Sequence, residues 1–433
     1  MKVLIVSHNP ITTQNNMGIT FLSLFSQFEK QELCQLYIYP TLPNADRCSS
    51  FYRVTDKEIL LSLVRGKKAG GEIRVEQIRA SEGLFEKAED EAIYRSKKNK
   101  TALRRLLRDA MWSVARWYSP QLREWLKREG PECIFVAPGV AKFVHGFVLR
   151  ISRDLNIPII TYICDEYYFV RRPDQLLDRL RLTLLQRKMR SLMACTSHLV
   201  VISEELKEAY AKEFGVKTTT LMTGAGIPVS ECPKGAEQPK EICYFGNIRC
   251  NRYLSLCEIG RELDEINREL GESYKLKIYT FEKDREILGS FEGIASVELC
   301  GAVTGKDFEK AFNASQLLLH VEAFDEKSID FVQHSVSTKI ADSLASGIPL
   351  LAYGPECISS MRHLLRHECA ITATGKQELR SMLMQAFSDQ AARRRVAENG
   401  LRTAREYHDR DRNGEKLRGM IGKVIENHTA GRP

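Results

Sequence analysis

Short apolar runs alternate with amphipathic stretches from the first residues onward. Residues 2–7 form a β-branched run, 8–18 are polar, and apolar positions at helical spacing continue over 19–30. Further strand-like runs stand at 36–39, 133–137, 157–163 and 199–202. Helical patterns over 102–129, 144–155 and 175–193 separate the later ones. Buried strands that each feed a loop and a helix predict a parallel sheet covered on both faces.

The pattern breaks at 227–240, where three prolines and few apolar residues read as a linker. It then restarts with a strand at 241–245, a loop from Gly246 and a helix over 253–270. More strands are expected at 275–280, 296–299, 317–321 and 349–352, and a charged helical stretch over 390–427. At 433 residues the chain is long for one core. The expected organisation is an α/β domain over 1–230, a second over 231–410, and a helix over 411–433 crossing back to the first.

Composition adds little except in its placement. The chain is 43% hydrophobic and 28% charged with a net charge of +8, and its basic residues crowd into 97–128 and 171–190. Such stretches meet anionic surfaces or form solvated helix faces. Trp112, Trp117 and Trp125 all lie in the first of them. Tryptophan among arginines on an amphipathic helix suits contact with anionic membrane, but large aromatics at helical spacing more often form a core. No apolar run reaches the ~20 residues that span a bilayer, and the first residues lack a signal-peptide core. A cytoplasmic protein is expected, with peripheral contact on the inner face of an anionic membrane through 97–128 as one of the two uses of that stretch. The twelve cysteines include no C-x-x-C pair, which argues for reduced thiols rather than a zinc ribbon or redox motif.

Several sites are excluded on spacing. Thr304-Gly305-Lys306 lacks the first glycine of a P-loop, and Asp307 stands where a hydroxyl would hold magnesium. Neither first strand is followed by G-x-G-x-x-G. His363, His367 and Cys369 have helical spacing but lack the glutamate of a zinc protease, so no metal is expected.

The most informative segment is Ser335-Val-Ser-Thr-Lys-Ile-Ala-Asp-Ser-Leu-Ala-Ser-Gly-Ile-Pro-Leu-Leu-Ala-Tyr-Gly354. Ser337 or Thr338 can cap a helix that ends near Gly347, and Pro349 then opens a buried strand. The helix start offers unpaired N–H groups beside Lys339, which together suit an anion. Asp342, one turn on, could accept hydrogen bonds from a ribose diol. A capped helix with a Lys339–Asp342 surface pair is the alternative.

This segment resembles the donor-site helix of family 4 glycosyltransferases. The resemblance implies a GT-B fold: two Rossmann-like α/β/α domains facing across a cleft, performing a retaining, metal-independent transfer from a nucleotide-sugar. It implies that Asp342 binds the nucleotide ribose and that Ser337, Thr338 and Lys339 lie near the diphosphate. Tyr-Phe-Gly-Asn-Ile-Arg-Cys-Asn-Arg over 244–252 is similar to the family's phosphate-gripping loop, which nominates Arg249 and Arg252. Val201-Ile-Ser203 and Leu221-Met-Thr-Gly224 fall in the family's order late in the first domain. The family often carries two glutamates with seven residues between them; here Asp342 takes the second place and His334 the first. Glu322, past a strand end, is therefore nominated as the acidic contact to the donor sugar, with a structural ion pair as the alternative.

On the acceptor side, Cys164-Asp165-Glu166-Tyr167-Tyr168 follows a strand. Asp165 or Glu166 could position an acceptor hydroxyl or take its proton, or could cap the following helix. His8, Asn15 and Gly18 in the first loop join them. The resulting expectation is a hexosyltransferase acting on a saccharide or lipid-linked acceptor in cell-surface polysaccharide synthesis. UDP is the default base by analogy, and neither a cofactor nor a nucleic-acid partner is expected. A nucleotide-sugar epimerase of the same fold, and a non-catalytic basic protein that binds anionic lipid, remain as alternatives.

Overall fold

The computed structural model describes residues 1–13, 15–44, 46–66, 68–73, 101–170, 173, 175–235 and 238–431. They fall into two compact units, Met1–Met222 with Arg410–Pro433, and Thr223–Asp409.

The first unit is built on β1 (Val3–Ser7), β2 (Leu33–Tyr37), β3 (Ser50–Arg53), β4 (Gly71–Ile73), β5 (Cys133–Ala137), β6 (Ile159–Ile163), β7 (Thr196–Val201) and β8 (Thr218–Thr220). Their order is β4-β3-β2-β1-β5-β6-β7-β8. Every neighbouring pair is parallel except β3 with β4. The central strands β1, β5 and β6 are buried at every position, as expected for a sheet covered on both faces. The helix Arg410–Ala430 belongs to this unit and packs on Asn16–Leu24.

The second unit contains β9 (Glu241–Phe245), β10 (Lys275–Tyr279), β11 (Val297–Gly301), β12 (Leu317–Val321), β13 (Leu350–Tyr353) and β14 (Ile371–Ala373). All its pairs are parallel, in the order β11-β10-β9-β12-β13-β14. In each unit the strand order reverses beside the first strand, between β1 and β5 and between β9 and β12. Open α/β sheets bind ligands outside the carboxyl ends of strands at such a reversal.

Two expected long helices are each divided. The 102–129 pattern breaks into Ala102–Val114 and Pro120–Glu129. Ser119 caps the second by accepting from the Leu122 N–H at 3.2 Å, and Pro120 occupies its first turn. The 390–427 stretch breaks at His408 into Gln390–Tyr407 and Arg410–Ala430. The first helix runs over Asn16–Leu24 rather than 19–30, because Asn15 caps it by accepting from the Gly18 N–H at 2.8 Å.

The tryptophans serve the core, the use that their helical spacing favoured over membrane contact. Trp112 and Trp125 are 0% and 2% exposed. Their indole N–H groups donate to Asp56 Oδ1 and Ser50 Oγ, both at 2.7 Å. A buried indole needs such an acceptor for its polar edge. Trp117 packs on Phe147 with ring centroids 3.9 Å apart. Residues 97–100 of the first basic stretch and 171, 172 and 174 of the second lie outside the described residues.

Gly18 is explained by close approach. A Cβ there would overlap the backbone of Thr12 in the loop that returns over the helix start. Gly18→Ala is expected to cost about 1–3 kcal/mol, the usual toll of forcing atoms into filled space. A lower thermal midpoint in calorimetry, with the folded-state circular dichroism unchanged, would be the sign of it.

Candidate functional site

In the second unit, β9 leads through Gly246–Asn251 into the helix Arg252–Leu270. Cys250 and Asn251 both take left-handed backbone, φ 54° and 57°, which turns the chain sharply. Tyr244 closes the turn by donating its hydroxyl to the Asn247 carbonyl at 2.7 Å. Asn251 Nδ2 donates to Asp325 Oδ2 at 3.0 Å, tying this loop to the segment after β12. Arg252, first in the helix, is aimed at Glu322, one residue past β12; both its Nε and Nη2 lie 2.8 Å from Oε2.

The Arg252 and Glu322 side chains are only 19% and 4% exposed. Burial pushes the Glu322 carboxyl up, and the Arg252 charge pulls it back. His320 Nε2 lies 3.5 Å from Glu322 Oε1 and 3.1 Å from Ser360 Oγ. Burial, with Arg252 and Lys339 near, holds its imidazole down at about 3, so it is neutral. Glu322 is thus the buried half of an ion pair, the alternative its loop position allowed.

Lys339 comes from the helix Thr338–Ala345. Its ammonium sits over the backbone of Gly246, where any Cβ would overlap Nζ. The residue is exposed by area, but its Nζ end crowds the Gly246 backbone; burial, then the Arg252 charge, push it down to about 8, against the Glu322 carboxylate. The Tyr244 ring centroid is 6.0 Å away. Among the described residues Lys339 has neither an ion pair nor a hydrogen-bond partner. Ser337 is the helix cap, one of the two residues expected there, but its side chain makes no capping bond; the Ile340 N–H turns back to the Ser337 carbonyl at 3.1 Å, and those of Thr338 and Lys339 are the first-turn donors left for a ligand. Glu322, already paired with Arg252, is the carboxylate whose charge reaches Lys339; a cation with no ion pair of its own, at a helix start and at the strand-order reversal, suits an anion.

Two nominated residues are already engaged. Arg249 grips Glu282 with Nε and Nη2 at 2.6 and 3.0 Å, and that grip holds the Glu282 carboxyl down at about 2. Its charge is compensated by protein, unlike that of Lys339. Asp342 is largely buried and accepts the Gly226 N–H at Oδ1, 2.6 Å away. Burial raises its carboxyl, against the N–H groups of Gly226 and Ile227. The Lys339–Asp342 surface pair is not formed.

In the first unit, His8 follows β1 at the other reversal. Arg108 Nη2 lies 3.1 Å from its Nε2 and donates Nε to Asp56 Oδ1 at 2.8 Å. Burial, then Arg108, hold His8 at about 4, so its ring is neutral and Nε2 accepts from the arginine. Asp165, past the end of β6, is exposed and accepts the Tyr167 hydroxyl at 2.9 Å. Glu166 turns inward: it accepts the N–H groups of Tyr168 and Phe169, the latter at 2.7 Å, and the Tyr210 hydroxyl at 3.4 Å. It organises the loop and does not cap a helix, since the next helix begins only at Leu176. All three bonds go to Oε1, and Oε2 is buried without a hydrogen-bond partner among the described residues.

Residues missed from the sequence are Gly246, His320, Asp56 and Arg108. Gly246 had a readable signal, a glycine directly after a strand; the others depend on long-range contacts. The His363 imidazole lies 3.1 Å from His408, nitrogen to nitrogen, in a buried pair. Among the described residues no three His, Cys, Asp or Glu side chains group to hold a metal. Among them too, no helix is long and apolar enough to cross a membrane.

Residues 263–419 match the family described as "Glycosyl transferase-like". No curated protein matches the sequence. Three solved structures align over nearly the whole chain. HepE from Anabaena, in complex with UDP, is 9% identical at a TM-score of 0.63, covering 98% of this chain and 100% of that one. Sucrose-phosphate synthase from Thermosynechococcus elongatus is 10% identical at 0.61, covering 99% and 100%. Trehalose 6-phosphate synthase from Burkholderia multivorans is 14% identical at 0.56, covering 100% and 99%.

Proposed function

We infer that this chain, a glycosyltransferase of GT-B fold, takes its sugar from a UDP-linked donor held in the second unit. The observation that carries the reading is Lys339: an ammonium with no ion pair or hydrogen bond to a described residue, over a glycine backbone and at a helix start whose cap side chain makes no bond. A diphosphate supplies the missing charge and accepts those N–H groups. As the glycosidic bond breaks, negative charge grows on the departing diphosphate, and fixed positive groups there lower the barrier. Arg252 stands at the same strand ends; its charge is met by Glu322, so its part is to present the guanidinium N–H groups that the ion pair leaves unused. Asp342, braced by Gly226, accepts the ribose hydroxyls through its remaining lone pairs. HepE structures hold UDP and UDP-glucose, which supports uracil as the base.

Within this proposal the transfer is retaining and needs no metal, and Asp165 orients the acceptor hydroxyl from the end of β6. The acceptor is a saccharide or a lipid-linked saccharide in cell-surface polysaccharide assembly. Contact with anionic membrane through the stretch 97–128 rests on its exposed arginines and leucines, not on its tryptophans.

Incubating the purified protein with UDP-sugars and saccharide or lipid-linked acceptors tests the reading. Acceptor-dependent release of UDP, with the donor's anomeric configuration kept in the product by NMR, is the expected result. Conversion of the donor alone into a second nucleotide-sugar would instead identify an epimerase.

A further inference from the structure

The first unit carries a recess of about 740 Å³ that plays no part in the site described above. It opens where the helix Asp56–Arg65 ends at Gly66 and where Ala102–Val114 gives way to Pro120–Glu129. Asp56, which holds Arg108 and through it His8, is at the opposite end of the first of these helices. Ten helical residues span about 15 Å, so the recess is separate from the strand-end face.

Its lining holds Lys68, Arg116, Arg123 and Arg150, and no Asp or Glu. Among the described residues, Lys68, Arg116 and Arg123 have no carboxylate partner. Arg150 reaches only Asp154, at 4.0 Å. Tyr118 orders two of the four, with the Arg123 and Arg150 guanidinium carbons 5.8 and 4.9 Å from its ring centroid. Four like charges gathered around one recess repel one another, and an anion in the recess relieves that.

The rim is apolar. Leu63 and Val114, both lining residues, are 43% and 71% exposed. Each continues a stripe along its helix: Leu60 and Val64 stand beside Leu63, and Leu103 and Leu107 share the face of Val114 at helical spacing. The two helices pack side by side.

We propose that this recess seats the phosphate headgroup of an anionic phospholipid while the leucine stripes lie in the bilayer interface. A free phosphate or a nucleic acid would use the cations and leave the leucines in water. A lipid surface uses both, which is the pattern of a monotopic contact. The proposal deepens the membrane part of the function proposed above and is independent of the donor reading.

The test is co-sedimentation with vesicles of phosphatidylcholine alone or with phosphatidylglycerol added, using wild type and two variants. The first joins Lys68→Gln, Arg116→Gln and Arg123→Gln; the second joins Leu63→Ser and Val114→Ser. All five positions are exposed, and UDP binding and circular dichroism serve as controls for folding. Wild type is expected to bind the phosphatidylglycerol vesicles and not the neutral ones. Each variant should bind at least ~10-fold more weakly, the first through its lost cations near an anionic surface and the second through the apolar area it no longer buries in the interface. No binding by wild type would overturn membrane contact as a whole. Binding by both variants equal to wild type would overturn the recess as the headgroup seat while leaving membrane contact standing. Binding lost only in the first variant and competed fully by millimolar inorganic phosphate would mark a free-anion site, which also overturns the proposal.

Discussion

Replacing Lys339 with methionine is expected to lower kcat/KM by about 10²–10³-fold, the scale seen when one preorganised charge-stabilising donor is removed. The helix should survive, because methionine keeps the stem and the ammonium makes no bond that holds the fold. The same side chain predicts a pH dependence. Burial and Arg252 push its ammonium down to about 8, so the free protein loses this charge as pH rises through that value. A bound diphosphate favours the charged form, so UDP affinity should decline above about pH 8 with the slope of one proton. The decline should be absent in Lys339→Met. Titrations from pH 6.5 to 9.5 on both proteins decide it: a wild-type curve flat across this range would remove Lys339 from the donor seat.

Arg252→Ala is expected to have the largest effect on stability. The change leaves Glu322 buried at 4% exposure without its counter-charge. Breaking one side of a buried pair typically costs about 3–5 kcal/mol. The sign of the pH effect follows from the carboxyl. Glu322 is already raised by burial and rises further when Arg252 is gone, so the folded state takes up a proton more readily than the unfolded one. The deficit should therefore shrink as pH falls toward the carboxylate range and be fullest at neutral pH. Adding Glu322→Gln to Arg252→Ala should restore part of the loss, since an amide costs less than a stranded charge. Urea unfolding of the two single variants and the double variant measures the coupling. Strict additivity would mean that the pair contributes nothing beyond its members.

Much of the architecture was legible where the physics is local. Buried strands such as Cys133–Ala137, Glu241–Phe245 and Leu317–Val321 fall at the expected residues, because a continuous apolar run between loops has few other uses. Strands β3, β4, β8 and β14 were not foreseen; they are three or four residues long, too short for a period, and exist through their neighbours. The division at Ser119-Pro120 was readable from cap and proline chemistry, but amphipathic spacing on both sides masked it. At the candidate site, residue types and chain order were readable and partners were not. Glu322 was nominated for its place after a strand, yet only the fold reveals that Arg252, 70 positions earlier, takes its charge. Arg249 has the same basic chemistry as Lys339, but Glu282 neutralises the one and no described carboxylate meets the other. The tryptophans show the converse. Their sequence surroundings are basic, but Asp56 and Ser50 wait inside to accept their N–H groups.

The most direct test of the donor site is calorimetric titration of UDP, GDP, ADP, dTDP and CDP into wild type and Asp342→Ala, with circular dichroism confirming that both are folded. UDP is expected to bind selectively, and Asp342→Ala to weaken it by about 1–3 kcal/mol, the worth of hydrogen bonds to a charged group. A folded wild-type protein that binds none of the five, or an Asp342→Ala variant that binds UDP as tightly as wild type, would contradict it.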